Sequence, residues 1–174
     1  MVLSNELALF LIRTTMKRLL LLLPVLFAFC TTASAQNYDQ SLGLRGGPLT
    51  GLTYKTFIGG NAAVELLAAT RWRGGLELTG LYELHNDLDI TPGLQWYYGA
   101  GAHVGFWRSY VGHPWWTDAG SSAVVIGVDG IIGVEYTFED YPINVSLDWK
   151  PEFNLIGYRG LWGDEGALSV RYCF

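Results

Sequence analysis

Beyond its first 35 residues the chain holds one cysteine, Cys173, so no internal disulfide can form there. A domain built this way must be stable on non-covalent packing alone. That region also lacks a run of about 18 consecutive apolar residues, the least that a membrane-spanning helix needs. Basic residues are scarce: residues 36–174 carry eight Lys and Arg against fifteen Asp and Glu, a formal charge of −7. Without a basic patch, nucleic acid is excluded as a partner. Aromatic residues, 25 in the full chain, and glycines, 22, are abundant.

The opening segment has a different character. Met16-Lys17-Arg18 is a short basic start, followed by an apolar run from Leu19 to Phe29 and the small-residue site Ala33-Ser34-Ala35. That layout is a secretory signal peptide ending at residue 35. Residues 1–15 precede the basic start and read as an upstream initiation codon. Phe29 is bulky where lipid attachment at Cys30 would want a small residue, so lipidation is not expected. Residues 36–174 then make one domain by length.

Within that domain the central stretch is Val124 to Phe138, VVIGVDGIIGVEYTF. At period two, Val124, Ile126, Val128, Gly130, Ile132, Val134, Tyr136 and Phe138 share one face, while Asp129 and Glu135 lie on the other. A helix would scatter the two carboxylates among branched apolar residues. Seven further stretches repeat the pattern: 40–47, 51–58, 62–72, 76–84, 93–107, 141–153 and 167–174. Glycine, proline and asparagine punctuate them at Gly47-Pro48, Gly59-Gly60-Asn61 and Gly74-Gly75. The polar segment 85–92 reads as a turn or short loop, and 108–122 and 154–166 as the two long loops. Pro151 cannot donate to a strand ladder, so a bulge or lost pairing is expected near it.

Charge sorting decides between barrel types. The apolar face of all eight stretches carries no Asp, Glu, Lys, Arg or His. The opposite face holds Arg45, Lys55, Arg71, Lys150 and Arg171 with Glu65, Glu77, Glu83, Asp129, Glu135, Asp148 and Glu152. A soluble barrel would put its charges outside, and so extensive an apolar face is too large to leave in water. The expected fold is all-β: an eight-stranded antiparallel, up-and-down transmembrane β-barrel. Trp72, Trp96, Tyr136, Phe138, Trp149, Phe153 and Tyr172, near strand ends, are expected to form its interfacial girdles.

With these strands placed, the chain resembles the small eight-stranded outer-membrane barrels of the OmpA/OmpX type, and more narrowly the outer-membrane β-barrel proteins of Bacteroidetes. The resemblance rests on the signal peptide, TGLYELHND (79–87), GAGAHVGFW (99–107), GVDGIIGVEYTF (127–138), INVSLDWKPEFN (143–154) and the terminal RYCF. It implies residence in the outer membrane of a Gram-negative bacterium with both termini periplasmic, and leaves the function open. Leu168, Val170, Tyr172 and Phe174 match the terminal signal that barrel-insertion machinery reads in such proteins. The chain stops at the last strand, so no periplasmic peptidoglycan-binding domain is expected.

No enzymatic constellation emerges. The glycine run 99–105 lacks the G-x-G-x-x-G spacing and is followed by no helical pattern; its inward glycines instead make room for Tyr97, Trp107 and the arginines. His103 stands as the only inward histidine, read as a hydrogen-bonded lumen residue, since a metal or acid–base role needs converging ligands. An outer-membrane lipid hydrolase needs a serine and a histidine within reach of lipid, and the apolar face offers neither. Tyr110, His113, Trp115 and Trp116 in the loop 108–122 are candidates for an extracellular ligand or for interfacial anchoring. The reading is a monomeric barrel among outer-membrane lipids, with a polar lumen plugged by ion pairs, no cofactor or metal, and a structural or surface-interaction role. A lipid-modifying enzyme and a narrow channel are the alternatives.

Export generates the first test. Cleavage is expected between Ala35 and Gln36, with fractionation into the outer membrane and anomalous gel migration unless heated. N-terminal sequencing and fractionation check this; an uncleaved protein in the soluble periplasm overturns the location.

Overall fold

A computed structural model describes residues 38–71, 75–108, 122–157 and 160–174. The signal peptide, Trp72, and Tyr110, His113, Trp115 and Trp116 lie outside the described residues. Alternating sequence becomes alternating burial along strand after strand. The segments are β1 (Gln40–Gly46), β2 (Leu49–Gly59), β3 (Ala62–Arg71), β4 (Leu76–Asp87), β5 (Leu94–Arg108), β6 (Ser122–Thr137), β7 (Ile143–Trp149), β8 (Glu152–Ile156), β9 (Gly160–Trp162) and β10 (Gly166–Cys173). Each pairs antiparallel with its neighbour.

The wall has eight strands because four of the segments are halves of two broken ones. β6 pairs with β7 through Ile132↔Trp149 and with β8 through Asp129↔Glu152, so β7 and β8 form one stave interrupted at Lys150-Pro151. Proline lacks the ladder N–H, and its carbonyl accepts from Gly130 N–H at 2.9 Å, which keeps the stave attached. β8 pairs with β9 and β7 with β10, which makes β9 and β10 the second interrupted stave. β10 then pairs with β1, Leu44↔Val170, and the barrel closes.

Two boundaries differ from the sequence expectation. β4 runs on to Asp87, so His85 is a strand residue, 2 % exposed and inside the barrel, rather than part of a turn. His103 is therefore not the only inward histidine. The loop expected over 154–166 is largely strand, with β8 reaching Ile156 and β9 following at Gly160. Exposed Leu155, Ile156 and Leu161 continue the outward apolar surface there, which is why pairing goes on past Pro151. Trp149 ends β7 yet faces outward opposite Ile132, well inside the span of β6, so it does not mark a rim.

Outward positions are predominantly apolar: Leu44, Leu52, Leu66, Leu78, Val128, Ile132, Leu147 and Leu168 are all exposed, with Thr50 and Thr70 among the polar exceptions. Of the four residues of the terminal signal, Leu168, Val170 and Phe174 are also exposed. Trp96 with Tyr98, Tyr136 with Phe138, and Tyr172 with Phe174 form ring pairs toward the end of the barrel that holds the termini. Inside, Leu67, Leu81, Tyr97 and Ile131 make a small apolar cluster. The inward glycines of β6 take aromatic rings: a Cβ at Gly133 would meet Tyr97 Cζ at 2.7 Å and one at Gly127 would meet His103 Cε1 at 2.5 Å.

Val128 and Asp129 test this orientation directly, since Val128 points out and Asp129 is 4 % exposed within. On a wall that faces hydrocarbon, Val128→Lys costs about 2–4 kcal/mol near mid-bilayer, while Asp129→Asn still inserts. Urea titration of the protein folded into vesicles reads both. Wild-type stability of Val128→Lys overturns the assignment of faces, because a one-residue slip exchanges them.

Candidate functional site

The charged residues named from sequence all reach the interior, where they form three tiers. Nearest the termini, Lys55 is fully buried, with its ammonium 2.8 Å from Glu83, 3.1 Å from Glu135 and 3.5 Å from Glu65. Tyr97 offers its ring face to the same ammonium, 4.1 Å from the centroid. Arg171 donates to Glu65 at 2.6 Å, Ser146 at 2.7 Å, Thr53 at 3.0 Å and Asn144 at 3.2 Å. Thr53 also donates to Glu65. Tyr38, just before β1, reaches in and donates to Glu135 at 2.8 Å.

In the middle tier Arg45 grips Asp148 with both terminal nitrogens, at 2.8 and 2.5 Å. Tyr97 donates its hydroxyl to the same carboxylate at 3.1 Å. This planar fork is the strong form of a charge-assisted pair. It joins β1 to β7, far apart in sequence and separated by β10 in the wall.

The far tier, away from the termini, is the richest in carboxylates. Lys150 lies 3.1 Å from Asp129, 3.1 Å from Glu165, 3.3 Å from Glu152 and 3.5 Å from Glu77. Arg71 pairs with Glu165 and with Glu152 at 3.2 Å and lies over the Trp162 ring at 5.3 Å from the centroid. His103 sits 3.0 Å from Asp129 through Nδ1 and 2.8 Å from Asn154 Oδ1 through Nε2. Its nitrogens are thus turned to a carboxylate and an amide, and no serine hydroxyl is placed against them by these contacts.

Four interior residues escaped the sequence reading: His85, Asn154, Glu165 and Tyr38. His85 contacts Glu83 at 3.2 Å and Glu135 at 3.5 Å and stacks on Tyr97. Its parity with Glu77, Thr79, Leu81 and Glu83 was the available signal. Asn154 continues the inward parity of Glu152 past the proline. Glu165 and Tyr38 lie outside the strands, and periodicity says nothing about them.

No protein family matches the sequence, and no curated protein sequence matches it. A solved structure does. The fold is that of the N-terminal β-barrel domain of Pseudomonas aeruginosa OprF, with a TM-score of 0.62 at 16 % identity over 80 % of this chain and 98 % of that one. Such identity carries the architecture alone, a small closed β-barrel.

The Lys55 cluster yields a stability prediction. Removing one partner from a buried ion cluster leaves uncompensated charge and costs about 3–5 kcal/mol. Lys55→Met, which strands Glu65, Glu83 and Glu135 around an apolar stem, should lower the denaturant midpoint accordingly. Adding Glu83→Gln to that variant should recover part of the loss. Equal stability of Lys55→Met and wild type would show that the cluster does not hold the barrel.

Proposed function

We propose that the chain is an integral outer-membrane barrel with a structural or surface-interaction role, its interior closed by ion pairs. The observation that carries this reading is the division of its two faces. Outward side chains from Leu42 to Phe174 are exposed hydrophobics, while Lys55, Glu65, Glu83, Glu135 and Arg171 are 0–1 % exposed inside. A soluble protein could not leave so continuous an apolar belt in water, and a closed barrel satisfies its backbone in lipid because it has no edge. The likeness to the OprF barrel domain supports the same location. The chain then meets outer-membrane lipids, enters the membrane through barrel-insertion machinery with its termini periplasmic, and acts as a monomer.

An eight-stranded barrel is just wide enough for side chains to fill, and here long charged ones cross it at three levels. The reading therefore assigns the interior to holding the wall together rather than to transport. It also involves no enzymatic step: His103 faces Asp129 and Asn154, and neither contact supplies a nucleophile. Surface contact falls to the segments 108–122 and 154–166. Single-channel recording of the purified protein in a planar bilayer tests the closed interior: little or no steady current is expected. Large, stable openings would make it a channel.

A further inference from the structure

We propose that the far tier binds one divalent transition-metal cation, held by His103 Nδ1, Asp129 and Glu152. Backbone register assembles these three from separate strands. His103 on β5 stands opposite Gly127 on β6, and Asp129, two residues on, stands opposite Glu152 on β8. The absent side chain at Gly127 gives the imidazole its place, for a Cβ there would lie 2.8 Å from His103 Nε2.

The spacing suits a metal. His103 Nδ1 is 3.0 Å from Asp129 Oδ2 and 3.9 Å from Glu152 Oε2, and ligand atoms of the three residues all lie within 4.8 Å of one another. Metal–ligand bonds of roughly 2.0–2.2 Å in a tetrahedron put ligand atoms about 3.4 Å apart. The observed separations bracket that value. The imidazole is also oriented as a ligand would be. Its Nε2 faces the Asn154 carbonyl at 2.8 Å, the outer hydrogen bond that fixes tautomer and ring plane in metal-binding histidines. Binding then displaces the proton that Nδ1 shares with Asp129 and turns its lone pair to the ion.

Charge balance points the same way. Among the described residues, Glu77, Asp129, Glu152 and Glu165 are paired with Lys150 and Arg71 as permanent cations. With a neutral imidazole the tier is two charges negative, the deficit that one divalent ion fills, and buried charge demands compensation. Lys150 need not leave. Glu165 Oε2 is buried and accepts no hydrogen bond, with the Lys150 ammonium 3.1 Å away, so that ammonium can shift toward Glu165 and Glu77 as the metal takes Asp129 and Glu152. Glu77 and Glu165, which lie close to Glu152, are the carboxylates that keep the ammonium paired. Among the described charged residues the far tier is the more open, Arg71 keeping 25 % of its side chain exposed while Lys55 keeps none. A nitrogen donor among carboxylates selects zinc, manganese or a related ion over calcium and magnesium.

The test uses the mature barrel refolded in detergent without a histidine tag, stripped with EDTA, and titrated calorimetrically with zinc chloride and separately with calcium chloride. One zinc per chain is expected, with a raised melting temperature and no comparable response to calcium. Glu152→Gln and His103→Gln should each weaken zinc binding by about tenfold or more, while Glu139→Gln on an exposed turn leaves it unchanged. Should a variant fail to fold, cobalt substitution of the wild type replaces it, and tetrahedral visible absorption is expected. No zinc uptake, uptake that Glu152→Gln and His103→Gln both retain in full, or featureless cobalt spectra would each overturn the site.

Discussion

A buried charge is tolerable only beside an opposite one, and this constraint organises the interior of the barrel. Lys55, Arg171, Arg45 and Lys150 are each essentially out of reach of solvent and each paired with one or more carboxylates from elsewhere in the chain. The contacts are cross-links as well as compensation. Arg45 ties β1 to β7, Lys55 ties β2 to β3, β4 and β6, and Arg171 ties β10 to β3. Lys55–Glu65 links register partners on adjacent strands, but the other ties run between strands that are not neighbours in the wall and depend on its closing. Closure of β10 on β1 and pairing of the charges are therefore one cooperative event rather than two.

The interrupted stave serves the same end. At Lys150-Pro151 the ladder gives up a donor that proline cannot supply, yet the Pro151 carbonyl still accepts from Gly130 and the Lys150 N–H donates to the Glu165 carbonyl at 3.0 Å. The break between β9 and β10 falls at the same level, so Glu165, although outside the strands, is carried inward beside Lys150. An unbroken pair of strands would have kept strict alternation and left less room for four carboxylates around one ammonium.

The three tiers differ in how completely their charges cancel. The middle tier is a balanced pair, and the tier near the termini has three carboxylates facing two permanent cations. Among the described residues the far tier has the largest deficit of positive charge, with the partly exposed Arg71 at its edge. A structural role explains the first two fully. The surplus in the third, with a histidine turned into it, is the feature that a purely structural reading does not account for, and it is what a bound cation would complete.

Sequence by itself determined the strands, the two faces and the closed class of fold. Side-chain direction in a strand has period two and is set locally, so Val128 outward and Asp129 inward could be read without any partner. Even the defect at Pro151 was legible, because a missing N–H is a property of one residue. Only the tertiary structure decided who meets whom. Lys55 touches Glu65, Glu83 and Glu135 because of register across β2, β3, β4 and β6, and no local pattern encodes a distance across a barrel. The same holds for His85, whose strand runs past the point where polar neighbours suggested a turn, and for the β8–β9 hairpin, whose pairing outlasts the proline. Glu165 lay beyond any periodicity. It is brought to Lys150 by a break in two neighbouring staves, a consequence of closure that exists only once the whole wall has formed.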